Sequence, residues 1–168
     1  MKKSIAVICL LSLVLLSACN KGKGAEKITV ADAGYTCDAS IDYGENFSLK
    51  ATINAVGGGI FSLTINEPKD ISGLTYLFDN SQMSVKYDGT LKENNLPLGY
   101  GGFAEILNEI FLKFTTSAPT VYNKDGEYLY KGNNSEYSYE VIFNGQGFPI
   151  KLYSKEEKLK ATFSNFRY

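Results

Sequence analysis

An alternation of apolar and polar residues with a period of two is the feature that most constrains this chain. Between residues 47 and 55, Phe, Leu, Ala, Ile and Ala alternate with Ser, Lys, Thr and Asn, and residues 61–66 repeat the pattern. Successive side chains of a β-strand point to opposite faces, so the pattern predicts strands with one buried face. Three glycines, residues 57–59, predict a hairpin turn between them. Pro68 is expected to end the second strand, because proline has no N–H for the sheet.

The same alternation continues on both sides of these two segments. Aromatic and aliphatic residues alternate with polar ones in further short stretches, and the Asp, Asn and Gly residues between them are typical of turns. We therefore predict an antiparallel meander, with turns at residues 79–81, 88–89 and 144–147. Its other strands are residues 35–43, 74–78, 83–87, 127–131, 137–143, 148–152 and 159–163.

The period changes once, between residues 103 and 114, where large apolar residues recur at helical spacing. An amphipathic helix is predicted there, with Glu105, Asn108, Glu109 and Lys113 on its polar side. Each apolar side chain contributes about 1.5–3 kcal/mol when it is fully buried, so the apolar stripe needs a partner. The stripe is Phe103, Ile106, Leu107, Ile110, Phe111 and Phe114. The residues expected opposite it, on the apolar face of the sheet, are Leu63, Ile65, Tyr76, Phe78, Val85 and Tyr87.

These two rows of apolar residues are open to two interpretations. They line a cavity for an apolar or amphiphilic ligand, or they form a packed core without a cavity. A ligand site needs a preformed space of roughly 300 Å³ or more. The sequence leaves both interpretations open.

The amino end carries an export signal. Lys2 and Lys3 precede an apolar run, residues 5–16, which is shorter than the roughly 20 residues of a membrane span. The run ends in a pattern that resembles the lipobox of bacterial lipoproteins, Leu16, Ser17, Ala18 and Cys19. An ordinary signal peptide with a chance cysteine is the competing interpretation.

The lipobox resemblance implies a division of the chain. Residues 1–18 would be a signal peptide that is removed, and Cys19 would receive a diacylglyceryl group with fatty acyl chains such as palmitate. Residues 19–27 would then form a lipidated, flexible tether, since they are rich in Gly and Lys. Residues 28–168 would form a single domain, which is an ordinary size for one.

Composition excludes several classes of function. The 168 residues include 17 basic and 18 acidic ones, so the chain lacks the strongly basic balance of a nucleic-acid-binding protein. Histidine is absent, which removes Ser-His-Asp and Cys-His catalysis and the common zinc sites. We therefore predict no nucleic-acid partner, no metal, no cofactor and no enzymatic activity.

The paired acidic residues and Cys37 have ordinary structural explanations. Asp38 and Asp42 share one strand face and Glu136 and Glu140 another, and paired carboxylates occur in glycosidases. Alternation, however, places such acids on the solvated face of a strand. Cys37 has no partner in the mature chain if Cys19 is acylated, and we expect it to be a small buried hydrophobic residue.

Four segments together resemble a known family. They are residues 61–68 (FSLTINEP), 73–74 (GL), 144–152 (NGQGFPIKL) and 159–166 (LKATFSNF). With the helix between the two groups of strands and the lipobox-like signal, they are similar to the bacterial lipoprotein-carrier (LolA/LolB-like) superfamily.

The resemblance implies an α+β fold, in which a curved antiparallel sheet, an incomplete barrel, carries an amphipathic helix on its concave face. It also implies an apolar hollow that holds acyl chains. The carriers hold their lid closed with an arginine, whereas the sole arginine here is Arg167, which does not match that position.

Two functions follow as hypotheses. The first is a non-enzymatic, monomeric lipoprotein on the extracytoplasmic face of the cell membrane, or of an outer membrane if the envelope has one. It would bind a lipid-like ligand or a lipoprotein between helix and sheet. The alternative is an envelope interaction module that binds wall polymer or a protein partner through an exposed tyrosine face. Cross-strand aromatic pairing within the sheet competes with this use of the tyrosines, which are Tyr128, Tyr130, Tyr137, Tyr139 and Tyr153.

Overall fold

A computed structural model describes residues 27–29, 31, 34–80, 82–87, 90–92, 102–117, 120–124 and 127–168. Within these residues the chain forms one antiparallel sheet, a short 3₁₀ helix at Lys69–Ile71, and an α-helix, α1, at Gly102–Ser117. The predicted signal peptide, Cys19 and residues 20–26 of the tether lie outside the described residues. So do Ser81 and the turn predicted at residues 88–89.

Twelve strands make up the sheet in the described part of the chain. Their order across the sheet is β1-β8-β9-β10-β11-β12-β2-β3-β4-β5-β6-β7, and each strand is antiparallel to its neighbours. In chain order they are β1 (Lys27–Thr29), β2 (Tyr35–Tyr43), β3 (Phe47–Gly57), β4 (Ile60–Glu67), β5 (Thr75–Asp79), β6 (Gln82–Tyr87), β7 (Thr90–Lys92), β8 (Thr120–Lys124), β9 (Glu127–Asn133), β10 (Ser138–Phe143), β11 (Pro149–Ser154) and β12 (Leu159–Arg167).

The strands β1 and β7 stand at the two ends of the sheet and do not pair with each other, so the sheet is open. The chain makes a meander from β2 to β7, crosses over through α1, and makes a second meander from β8 to β12. The two meanders join where β12 pairs with β2. The predicted α+β architecture, a curved antiparallel sheet with one helix on its concave face, is confirmed.

Most of the strands follow the predicted alternation, but three short ones do not. β1 and β7 have three residues each and β8 has five, too few for a period of two to be recognised. Lys27 was placed in the tether by its surroundings in the sequence, whereas in the structure it begins β1 and pairs with Tyr122. Pairing with a distant strand decided β1, which pairs with β8, whereas β7 pairs with the preceding strand β6.

The helix α1 lies diagonally across the concave face of the sheet. Near its start, Phe103 packs against Tyr76 of β5, with ring centroids 5.7 Å apart. Near its end, Phe114 packs against Phe143 of β10, with centroids 5.1 Å apart. The apolar stripe of the helix therefore holds the two meanders together. No helix among the described residues combines the length and hydropathy that a bilayer span requires.

The middle of the concave face carries small side chains. Ala39 and Ala51 are paired across β2 and β3, and both are buried. Cys37 is fully buried on the same face, and burial raises the pKa of its thiol to about 12. The prediction that Cys37 is a small buried hydrophobic residue is confirmed.

Candidate functional site

The apolar rows predicted to line a ligand site lie directly against each other where they are described. All six residues of the α1 stripe are buried, and so are Leu63, Ile65, Tyr76 and Phe78 of the sheet. A small depression open to solvent beside the helix, whose lining includes Ala55, Phe61 and Phe111, measures about 10 Å³, no more than about one water molecule occupies. The stripe therefore acts as packing in this part of the interface.

Two residues of the predicted site lie at the margin of the packed region. Val85 is half-buried and Tyr87 is 44% exposed. Tyr87 is the last residue of β6 and pairs with Thr90 of the edge strand β7. The alternation placed Tyr87 on the same face of β6 as Val85. It could not show that this end of the strand lies beyond the helix.

An open groove of about 560 Å³ lies beside the first half of α1. The helix contributes Gly102, Glu105, Ile106, Asn108 and Glu109 to its lining. The other walls come from the end of β2, the β5–β6 hairpin, the β9–β10 connection and the β11–β12 turn, and they consist of Tyr43, Phe78, Asn80, Met83, Asn134, Glu136, Tyr137 and Glu157. Two residues of the predicted site, Phe78 and Ile106, belong to this groove.

The start of α1 is shaped by a close approach. A β-carbon added to Gly102 would lie 2.7 Å from the hydroxyl oxygen of Tyr43, so a larger residue there would have to displace the Tyr43 side chain. The small residue at this position lets Tyr43 form the end wall of the groove.

The wall formed by the β9–β10 connection is held by hydrogen bonds. The side-chain oxygen of Asn134 accepts the backbone N–H groups of Glu136 and Tyr137 at 2.9 and 2.8 Å. Its amide nitrogen donates to Glu109 of α1 at 3.0 Å, and the Tyr137 hydroxyl donates to the same carboxylate at 2.6 Å. Lys113 lies 3.6 Å from Glu109. This network joins the polar side of α1 to the sheet and keeps the wall in place.

Negative charge surrounds the tyrosines of the groove. Burial raises the pKa of Tyr43, and the carboxylates of Glu157 and Glu105 raise it further. Burial also raises the pKa of Tyr137 well above its usual value. The hydrogen bond to Glu109 and the charge of that carboxylate raise it further. Both phenols therefore stay neutral as the surrounding solution becomes alkaline.

The raised pKa of Tyr137 predicts a loss of stability at high pH. An unfolded tyrosine ionises near pH 10, whereas folded Tyr137 remains protonated, so the unfolded state releases the proton first. The stabilisation is complete below about pH 10 and declines above it, by up to about 1.4 kcal/mol per pH unit for each such tyrosine. We expect Tyr137→Phe to make this decline shallower between about pH 10 and 11.5. Thermal unfolding followed by circular dichroism across this range measures it.

The control for this prediction is Tyr153→Phe, which removes the same hydroxyl from a tyrosine that is 42% exposed. We expect its stability to fall with pH as steeply as that of the unmodified chain. An equal slope for Tyr137→Phe and Tyr153→Phe would contradict the assignment of the effect to the buried phenol.

The tyrosine row of the alternative hypothesis is not an exposed face. Tyr128, Tyr137 and Tyr139 are buried and Tyr130 is half-buried, so the prediction of an exposed row was wrong. Tyr139 has Tyr130 and Tyr137 as ring neighbours, at centroid distances of 6.2 and 6.3 Å. Cross-strand aromatic packing accounts for Tyr130 and Tyr139, Tyr137 packs on Tyr139 from two residues earlier in the chain, and Tyr128 is buried opposite Phe143 of β10. Tyr153 faces outward because it alternates with a buried neighbour in β11.

The other acidic candidates lie on the outer face of the sheet and have ordinary partners. Asp38 accepts hydrogen bonds from Asn165 at 2.8 Å and Arg167 at 3.0 Å, and these bonds lower the pKa of its carboxyl. Asp42 accepts a hydrogen bond from Ser48 at 2.6 Å. Among the described residues, no three His, Cys, Asp or Glu side chains come together in a way that could hold a metal ion.

No protein-family model and no curated protein matches the sequence. Among solved structures, the chain is similar to an uncharacterized conserved protein from Thermus thermophilus, at a TM-score of 0.47 and 10% identity over 81% of this chain and 78% of that one. It is also similar to a LolA superfamily protein from Nitrosomonas europaea, at a TM-score of 0.46 and 9% identity over 83% of this chain and 88% of that one. A LolA superfamily protein is thus among the solved structures to which this chain is similar. At this distance neither ligand nor activity is transferred.

Proposed function

We propose that this protein is a non-enzymatic lipoprotein that is anchored to the extracytoplasmic face of a membrane and binds an amphiphilic ligand. Acyl chains on Cys19 hold it to the bilayer. The ligand lies in the groove beside α1, where the helix and the sheet separate. The observation that carries the proposal is the mixed lining of this groove.

The size and chemistry of the groove support an amphiphilic ligand. Its volume of about 560 Å³ is within the roughly 300–1,000 Å³ that is typical of small-molecule sites. Phe78, Met83 and Ile106 supply an apolar part of the lining, and Asn108 and Glu136 are among the groups that supply a polar part. A purely apolar ligand would leave the polar groups without partners, and a purely polar one would leave the apolar groups in water. The packed interface beneath α1 supports the groove as a rigid base.

Membrane attachment is tested by metabolic labelling with a clickable fatty acid. We expect the wild-type chain to be labelled and to sediment with membranes, and Cys19→Ser to be unlabelled and released, because several acyl chains anchor a protein stably. Cys37→Ser is the matched control and should be labelled as the wild type is, since its thiol is buried. An unlabelled wild-type chain would contradict the anchoring.

Ligand binding is tested with residues 19–168 carrying Cys19→Ser. The hydrophobic core lies between Tyr35 and Phe163, so this soluble form keeps all of it. We expect 1-decanol to bind, and Met83→Gln to weaken binding by about 1 kcal/mol, about fivefold, because the groove loses apolar surface. Isothermal titration calorimetry measures the affinities.

The matched control for this measurement is Leu77→Gln. Leu77 lies on β5 next to Phe78, the residue that pairs with Met83. Its side chain is 38% exposed and faces the outside of the sheet. We expect decanol to bind this variant as it binds the unmodified groove. Absence of decanol binding would contradict an amphiphile site. Equal weakening by both substitutions would place the ligand outside the groove.

A further inference from the structure

The charged side chains of the groove all have one sign. Among its described lining residues four are glutamates and none is lysine or arginine, and the four are Glu105, Glu109, Glu136 and Glu157. Glu109 is engaged by Asn134, Tyr137 and Lys113. The carboxylates of Glu136 and Glu157, by contrast, form no hydrogen bond or ion pair with other described side chains. These two charges remain available to a ligand.

A second and independent observation is the state of Asn108. Its side chain is only 9% exposed, and it lines the groove from the helix side. Among the described residues its side-chain amide has no hydrogen-bond partner, and since it is not one of the fully enclosed unpaired groups, it opens onto the groove. A ligand that enters the groove takes this amide out of water, so it binds favourably only if it supplies a hydrogen-bond partner in place of the water. Its carbonyl oxygen accepts a hydrogen bond from an N–H donor.

We propose that the groove selects ligands in which a protonated amine is joined to an alkyl chain, an inference that rests on the proposed function. The ammonium group lies between the carboxylates of Glu136 and Glu157 and donates a hydrogen bond to Asn108. The alkyl chain lies against Phe78, Met83 and Ile106. An anionic head group, such as a fatty-acid carboxylate or a phosphate, is repelled by the same carboxylates.

The proposal is tested with three ligands of equal chain length that differ in head-group charge: decylamine, 1-decanol and decanoate. Each is titrated at pH 7, below its micelle concentration, into residues 19–168 carrying Cys19→Ser. We expect decylammonium to bind at least about tenfold more tightly than decanol, and decanoate more weakly than decanol. Raising the salt from about 0.05 to 0.5 M should weaken only the decylammonium complex substantially, because screening acts on the charged pair.

Charge-removing variants locate the effect in the groove. Glu136→Gln with Glu157→Gln keeps the shape of both side chains and should bring the affinity for decylammonium down to near that for decanol. The matched control is Asp70→Asn with Glu127→Gln, which removes two exposed charges outside the groove. This control should bind all three ligands as the parent chain does.

Asn108→Leu shows whether Asn108 acts in ligand binding or only in the stability of the fold. Because the amide makes no hydrogen bond with other described residues and leucine is of similar size, the melting temperature should stay within about 2 °C of that of the parent chain. The affinity for decylammonium should nevertheless fall several-fold, while decanol binding is kept. If Asn108 were merely structural, its replacement would change the melting temperature without this selective loss of amine binding.

Each outcome decides a different part of the proposal. Equal affinity for the three ligands, or unchanged amine binding in the Glu136→Gln, Glu157→Gln variant, would overturn the selection for amines and leave the amphiphile site standing. Tighter binding of decanoate would reverse the charge preference and overturn it as well. Binding of none of the three would overturn the proposed function itself.

Discussion

Replacing Phe111 with alanine is expected to lower the free energy of unfolding by about 3–5 kcal/mol, the range for loss of a buried aromatic ring. Phe111 lies in the middle of the α1 stripe and is 3% exposed. Its ring packs against Phe61 of β4 at a centroid distance of 5.2 Å and against Phe163 of β12 at 5.5 Å. It also contacts Tyr35 of β2 at 6.5 Å. One side chain therefore ties the helix to strands of both meanders.

Urea unfolding followed by circular dichroism measures this effect, in residues 19–168 carrying Cys19→Ser. The matched control is Tyr122→Ala, which removes an aromatic ring that is 57% exposed on β8; it is expected to cost less than about 1 kcal/mol. A loss below about 1.5 kcal/mol for Phe111→Ala would mean that the helix is not seated on the sheet as described.

The second large effect is expected at Gly132, where alanine should destabilise the fold by about 2–3 kcal/mol through overpacking. Gly132 of β9 pairs with Tyr139 of β10, and the tyrosine ring lies over it. A β-carbon on Gly132 would sit 2.6 Å from Cε2 of that ring and closer still to its hydroxyl end. Tyr139 is 2% exposed, so the ring has little space into which it can move.

A double-mutant cycle identifies the clash as the cause. Tyr139→Leu removes the ring that the new methyl group would meet, so Gly132→Ala should cost about 1–2 kcal/mol less in that background. Gly145→Ala is the control, because a β-carbon there meets nothing within 4 Å; its effect should stay within about 0.5 kcal/mol. Additive effects of Gly132→Ala and Tyr139→Leu would show that the ring does not lie over the glycine.

Much of the fold could be predicted from local patterns. The alternation between residues 35 and 66 determines which side chains of β2, β3 and β4 are buried, because a strand exposes successive residues on opposite faces. The stripe from Phe103 to Phe114 marks α1 for a similar reason, since its apolar residues recur at helical spacing. These patterns involve residues that are neighbours in the chain, so they can be recognised without knowing the partner strands.

The groove could not be predicted in this way. Asn108 and Glu109 are on the polar side of the helix pattern, and that pattern assigned them to solvent. Glu136 and Glu157 lie in two turns that are about twenty residues apart in the chain. The sequence pattern assigned Glu136 to the solvated face of a strand and gave Glu157 no role. These residues reach one groove only because β9–β10 and β11–β12 lie side by side across the sheet and curve towards the start of α1.

The burial of the tyrosines also could not be predicted from the sequence pattern. Their spacing was compatible with an exposed row or with a packed one, and parity within a strand cannot say which face is covered. Burial of Tyr137 and Tyr139 followed from where α1 comes to rest, since Glu109 and Lys113 of the helix lie against them. Only the docking of the helix distinguished the two interpretations.

From its residues alone, this chain determined its succession of strands, its one amphipathic helix and the resemblance of its first residues to a lipoprotein signal. Each of these depends on residues within about ten positions of one another, so periodicity and spacing are sufficient. The order of strands in the sheet, the edge strand β1, the packing of the apolar stripe and the acidic groove were decided by the tertiary structure. The physical reason is that they arise from contacts between distant segments, whose geometry depends on how the whole sheet curves around the helix.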